Sequence, residues 1–210
     1  MLSLGRLRLG AAAALLLIAG AAHAQTTAFD FNTAPTSADS DYTLGVKFTA
    51  NEAINVTALG YFDADGDGFA TAHTLGIFDS AGTLVTSTTI GSGVAAPLDN
   101  KYRYVSISPV LLLAGGTYTV AGTTTSADPY AYGNDATGFA ASPAITLAPQ
   151  SALYSNGATL TNPTSYFGYK FYGGANFKYT TAGGNPVPEP ATLALLSVPL
   201  IGAVLRRRAR

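Results

Sequence analysis

The sequence predicts an all-β protein: a single antiparallel β-sandwich, jelly-roll-like, of roughly eight to ten strands. Three observations predict it. The central residues are rich in Thr, Ala, Gly, Tyr and Ser and poor in charge. No stretch sustains a helical period. Short alternating or β-branched runs recur, broken by Gly, Asn, Asp and Pro, which is how strands and turns read in sequence.

The runs come in order. Residues 42–49 (YTLGVKFT) alternate, with Leu44, Val46 and Phe48 on one face. Residues 54–62 (INVTALGYF) form the next strand, and 63–68 the turn after it. Residues 73–79 (HTLGIFD) point Leu75 and Ile77 inward. Ser80-Ala81-Gly82 then turns the chain into 83–90, so these two strands read as a hairpin. Strands follow at 102–107, 117–122, 151–155, 166–171 and 175–179. The stretch 123–149 reads as a long irregular loop, of the kind that often carries function, with Tyr130 and Tyr132 exposed on it. No tandem repeat is evident.

Both ends read as handling signals. Residues 1–24 open with Arg6 and Arg8, continue through an apolar run at 9–20, and close on Ala22-His23-Ala24. A basic, then apolar, then small-x-small order is that of a signal peptide. Signal peptidase is expected to cut after Ala24, leaving Gln25 first. The domain then occupies 25–185, enough chain for one core. It holds five basic and eleven acidic residues, a net charge near −6. Such a balance excludes a basic nucleic-acid footprint, so nucleic acid is not a partner. The chain has no cysteine, hence no disulfide and no thiolate metal site.

Residues 186–210 (PVPEPATLALLSVPLIGAVLRRRAR) have three parts. Pro188, Glu189 and Pro190 hold the chain extended, because proline fixes φ and cannot donate to a sheet. The apolar stretch 191–205 suits a short transmembrane helix. Arg206, Arg207 and Arg208, with Arg210, hold its end on the cytoplasmic side. The three parts in this order resemble the PEP-CTERM sorting signal of Gram-negative bacteria. That resemblance implies recognition by an exosortase, membrane attachment until processing, and delivery to the envelope, surface or extracellular matrix of a cell that makes exopolysaccharide.

Asp63, Asp65 and Asp67, spaced two apart and followed by Gly68, suit a hard cation such as calcium. The spacing matches the first half of an EF-hand loop. The second half fails, because Thr74 stands where a bidentate Glu belongs. Two readings stay open: a calcium-stapled turn, or a solvated acidic turn that needs no ion. The run 58–82, the later 113–120 (LAGGTYTV) and Asn176-Phe177 resemble a domain of unknown function common among PEP-CTERM proteins. The resemblance implies a β-sandwich and no particular activity.

His73 reads either as a base or metal ligand, or as a packed residue at a strand start bonded to a carboxylate or carbonyl. Signatures of catalysis are lacking. There is no Gly-x-Ser-x-Gly elbow, no Walker loop and no dinucleotide fingerprint. All 12 Tyr and 10 Phe lie in the domain, with no Trp. Tyr130, Tyr132, Tyr154, Tyr166 and Tyr172 are candidates for a sugar-stacking platform; the alternative is that these rings pack in the core. The expected function is a non-enzymatic surface or matrix protein associated with exopolysaccharide or biofilm. The alternatives are a carbohydrate-binding module and a secreted hydrolase.

Overall fold

The computed structural model describes residues 24–183. The stretch expected to be a signal peptide, up to residue 23, and the stretch 186–210 expected to be a sorting tail with a short helix lie outside them. The described residues fall in one compact unit, His23–Asn185. They contain strands and turns, and no helix.

Sixteen strands follow one another: β1 (Thr26–Thr27), β2 (Phe29–Asp30), β3 (Thr36–Ser37), β4 (Tyr42–Ala50), β5 (Ile54–Phe62), β6 (His73–Asp79), β7 (Leu84–Ile90), β8 (Leu98–Asp99), β9 (Tyr102–Leu112), β10 (Thr117–Thr123), β11 (Tyr130–Gly133), β12 (Ala140–Ala141), β13 (Ile145–Asn156), β14 (Ser165–Tyr166), β15 (Phe171–Tyr172) and β16 (Ala175–Thr181). Every pairing between them is antiparallel. A five-stranded sheet runs β1-β16-β5-β9-β8, and a six-stranded sheet runs β14-β13-β4-β10-β6-β7. Two small sheets, β15-β11-β3 and β12-β2, complete the fold.

Alternation decides what is inside. Leu44, Val46 and Phe48 of β4 are buried, as are Leu75 and Ile77 of β6. They join Ile54, Val56 and Leu59 of β5 and Phe177 of β16 in one core cluster fed by both large sheets. Phe48 meets Phe177 across it, with ring centroids 5.1 Å apart. The β6–β7 hairpin forms as the sequence predicts. Asp79 Oδ1 accepts from the amides of Ala81 and Thr83, and Gly82 takes φ 81°. That left-handed conformation is one that glycine adopts without strain.

The outer face of the six-stranded sheet is covered too. A Cβ on Gly45 would stand 2.8 Å from Pro163, and one on Gly76 would stand 2.9 Å from Leu160. The chain after β13 therefore crosses β4 and β6 where these two glycines leave room. Thr43 Oγ1 fastens it by donating to Thr159 O at 3.2 Å.

Two expectations need correction. The stretch 123–149 is not an irregular loop: it contains β11, β12 and the start of β13. The ladder between β13 and β4 slips between Leu147 and Ala152, across Pro149, which has no amide hydrogen to donate. A strand over 166–171 is not continuous, because Gly168 at φ 90° breaks it between β14 and β15.

Candidate functional site

The clearest opening is a cleft of about 350 Å³. Three parts of the chain build it. The wall made by β11 and β15 supplies Tyr130, Tyr132 and Tyr172. The ladder of β13 with β4 supplies Tyr154, Asn156, Tyr42 and Leu44. The segment broken at Gly168 adds Phe167 and Tyr169.

Seven of the lining residues are aromatic, and their rings form an unbroken chain. Tyr42 meets Tyr154 at 6.3 Å, Tyr154 meets Phe167 at 6.0 Å, and Phe167 meets Tyr169 at 5.5 Å. Tyr169 then touches Tyr132 at 5.0 Å and Tyr172 at 5.8 Å, and both of these touch Tyr130. Most of the crossings are tilted or edge-on, the geometry that ring quadrupoles favour. Phe167 is 62% exposed, so the chain of rings reaches solvent.

Ser37 and Asp39 add polar groups beside Tyr130. Asp39 Oδ2 accepts from Tyr130 Oη at 2.7 Å and from Ser37 Oγ at 2.9 Å. These two bonds hold the Asp39 carboxyl below the usual carboxylate range. Burial, and then the bond to Asp39, push the Tyr130 hydroxyl up. Burial likewise pushes Tyr172 up to about 12. The phenols therefore keep their protons at neutral pH.

Of the five tyrosines read as a platform, Tyr130, Tyr132, Tyr154 and Tyr172 meet in this cleft. Tyr166 does not: it lies on β14, 40% exposed and outside the lining. Tyr130 is buried rather than exposed, because β3 and β15 flank its strand. The sequence reading missed Tyr42, Phe167, Tyr169 and Asp39. The dense aromatic run at 166–172 (YFGYKFY) was the available signal for two of them.

The acidic turn is organised around Arg103. Asp63 is buried, and both its oxygens are taken. Oδ1 accepts from the Gly66 amide, and Oδ2 from the Gly68 amide and from Arg103 Nε at 2.6 Å. Arg103 also donates to the carbonyls of Gly66, Ala96 and Val94. The cation at the heart of this turn is thus a guanidinium. Asp65 and Asp67 point to solvent. Among the described residues no three acidic or histidine side chains are grouped to hold a metal.

His73 opens β6 and is fully buried. Its ring stacks on Tyr61 at 3.8 Å. Nδ1 lies 2.9 Å from Thr123 O, and Nε2 3.2 Å from Asp128 Oδ2. A neutral ring can donate to only one of these acceptors. Burial pulls its pKa below 6.5, outweighing the opposite pull of Thr123 and Asp128. Burial pushes Asp128 up, but the amide and hydroxyl donors of Ala70 and Thr71, with His73, bring it below 3.8. The packed reading of His73 is the one the structure shows.

Residues 30–177 match the domain of unknown function DUF4082. The chain belongs to that family. The DUF4082 span contains all three stretches on which the resemblance to a domain of unknown function rested, as well as the whole aromatic cleft. No curated protein matches the chain.

Two outcomes follow from this geometry. Calcium or a chelator should leave the melting temperature unchanged, whereas Asp63→Ala, which strands a buried guanidinium, should cost about 3–5 kcal/mol. A calcium-dependent rise in melting temperature would overturn the guanidinium-centred turn. Acid should also destabilise the fold. The folded His73 ring resists the proton that the unfolded chain takes up below pH 6.5, and Asp128 loses its contribution as pH falls through its lowered pKa. Both effects have the same sign. His73 alone contributes at most about 1.4 kcal/mol per pH unit. His73 is the only histidine in residues 25–185, so a flat stability profile of that domain between pH 6.5 and 5 would contradict its assignment as buried and neutral.

Proposed function

We propose that this is an exported, non-enzymatic protein of the envelope or extracellular matrix of a Gram-negative bacterium, whose domain holds polysaccharide in the tyrosine cleft. In this reading the two large sheets act as a single jelly-roll-like sandwich that carries the cleft. The observation that carries the proposal is the unbroken chain of seven rings, open to solvent and ending on a carboxylate. Tyrosine faces stack on the apolar faces of sugars, and their hydroxyls bond to sugar hydroxyls.

Catalysis fits the arrangement less well. A glycosidase works with two carboxyl groups across the bond to be cut, and the cleft lining offers only Asp39. His73 is walled in by Tyr61 and Phe69 and has no exposed surface.

Destination rests on the two ends of the sequence. Signal peptidase would remove residues 1–24, and an exosortase would act at Pro188-Glu189-Pro190 and release the domain from its temporary helix. Glu189→Ala should then leave full-length chain in the inner membrane. Normal processing of that variant would sink the exosortase assignment without touching the cleft.

For the cleft, the decisive measurement is retention on the host's own polysaccharide. Removing Tyr132 and Tyr169 together, at about 1 kcal/mol for each ring, should weaken retention on the order of tenfold or more. No retention of the wild-type chain would end the polysaccharide reading and leave a surface-coating role.

A further inference from the structure

The cleft also has a charge preference. Of its eleven lining residues, Asp39 is the only one charged, and no Lys, Arg or His is among them. Asp39 is exposed, and its Oδ2 is already engaged by Tyr130 and Ser37. Its Oδ1 accepts no hydrogen bond among the described residues and is free to receive a donor from a ligand. The half-buried rings of Tyr42 and Tyr132 line the same cleft, and aromatic faces attract cations and disfavour anions. The domain around the cleft carries a net charge near −6, which draws in cationic polymers and repels acidic ones.

We propose that the cleft selects sugar units bearing a free amine: a hexosamine whose ammonium group sits between Asp39 Oδ1 and the tyrosine faces. This rests on the polysaccharide reading and deepens it. A neutral sugar would offer the same stacking face without the charge. An N-acetylated unit replaces the ammonium with an uncharged amide. A uronic acid brings a carboxylate against Asp39 in a cleft with no cation to receive it.

The test is calorimetric titration of the full chain with three oligosaccharides of equal length: glucosamine, N-acetylglucosamine and galacturonic acid. The glucosamine oligomer should bind about threefold to fivefold more tightly than its acetylated form, and the galacturonic acid oligomer should bind most weakly, since an ion pair at an exposed carboxylate is worth a factor of this order. Asp39→Asn should remove the preference for the amine. Asp65→Asn, on the turn outside the cleft, should leave it intact. Equal binding of the glucosamine and acetylated oligomers, unchanged by Asp39→Asn, would overturn the amine inference while leaving polysaccharide binding in place. Equal weakening by Asp39→Asn and Asp65→Asn would also overturn it, because a polycation would then simply be coating an acidic surface. Failure of all three oligomers to bind, together with failure to bind the host polysaccharide, would remove both readings.

Discussion

A chain with no cysteine joins its parts through hydrogen bonds and packing, and in this fold one carboxylate gathers many of those bonds. Asp128 accepts from the amides of Ala70 and Thr71, from the hydroxyls of Thr71 and Thr125, and faces His73 Nε2. All of these partners except Thr125 come from the segment that enters β6. Asp128 itself stands just before β11, whose Tyr130 and Tyr132 form one wall of the cleft. One side chain thereby ties the start of β6, in the six-stranded sheet, to the base of the aromatic wall. Bonds to an ionised acceptor are each stronger than neutral ones, and the loss of the acceptor strands every donor at once.

A second internal charge does similar work elsewhere. Arg103 on β9 reaches into the turn after β5 and binds both its carboxylate and its carbonyls. Buried pairs of this kind add little net stability over apolar packing, but they tolerate few alternative arrangements. The two pairs place two long connections, 63–72 and 124–129, by directional contacts rather than by apolar burial alone. Glycine acts in the opposite sense on the sheet. At Gly45 and Gly76 the absence of a side chain lets the chain after β13 lie flat against β4 and β6.

Much of this was legible in the sequence. The runs 54–62 and 73–79 are strands over the same residues in the structure, because their alternation and β-branched content answer directly to a buried face. The two-residue strands were not legible. Pairings such as Tyr130 with Ser37, or Tyr132 with Tyr172, join positions far apart in the chain and have no local pattern. The rings of the cleft were partly legible, since tyrosine in a Gly-rich stretch is conspicuous, yet which rings converge depends on those same long-range pairings. Asp39 carried no signal, as an aspartate in the run Ser37-Ala38-Asp39-Ser40-Asp41 reads as any loop. The partner of Asp63 was not legible either, because Arg103 lies 40 residues onward, on another strand.

The wall formed by β11 and β15 is one strand thick. Tyr132 and Tyr172 face the aromatic cleft, while their neighbours Gly133 and Phe171 line a second hollow of about 420 Å³. The wall is therefore a diaphragm between two chambers, held by pairings only two residues long. Pairings so short open at a lower free energy than those of the nine-residue strands in the large sheets. Whatever presses on one side of such a diaphragm is felt on the other, through Phe171 to Phe31 and Phe139. Filling the cleft would therefore tighten a region well beyond the residues it touches, and the cleft would adapt its width to its occupant before it became rigid.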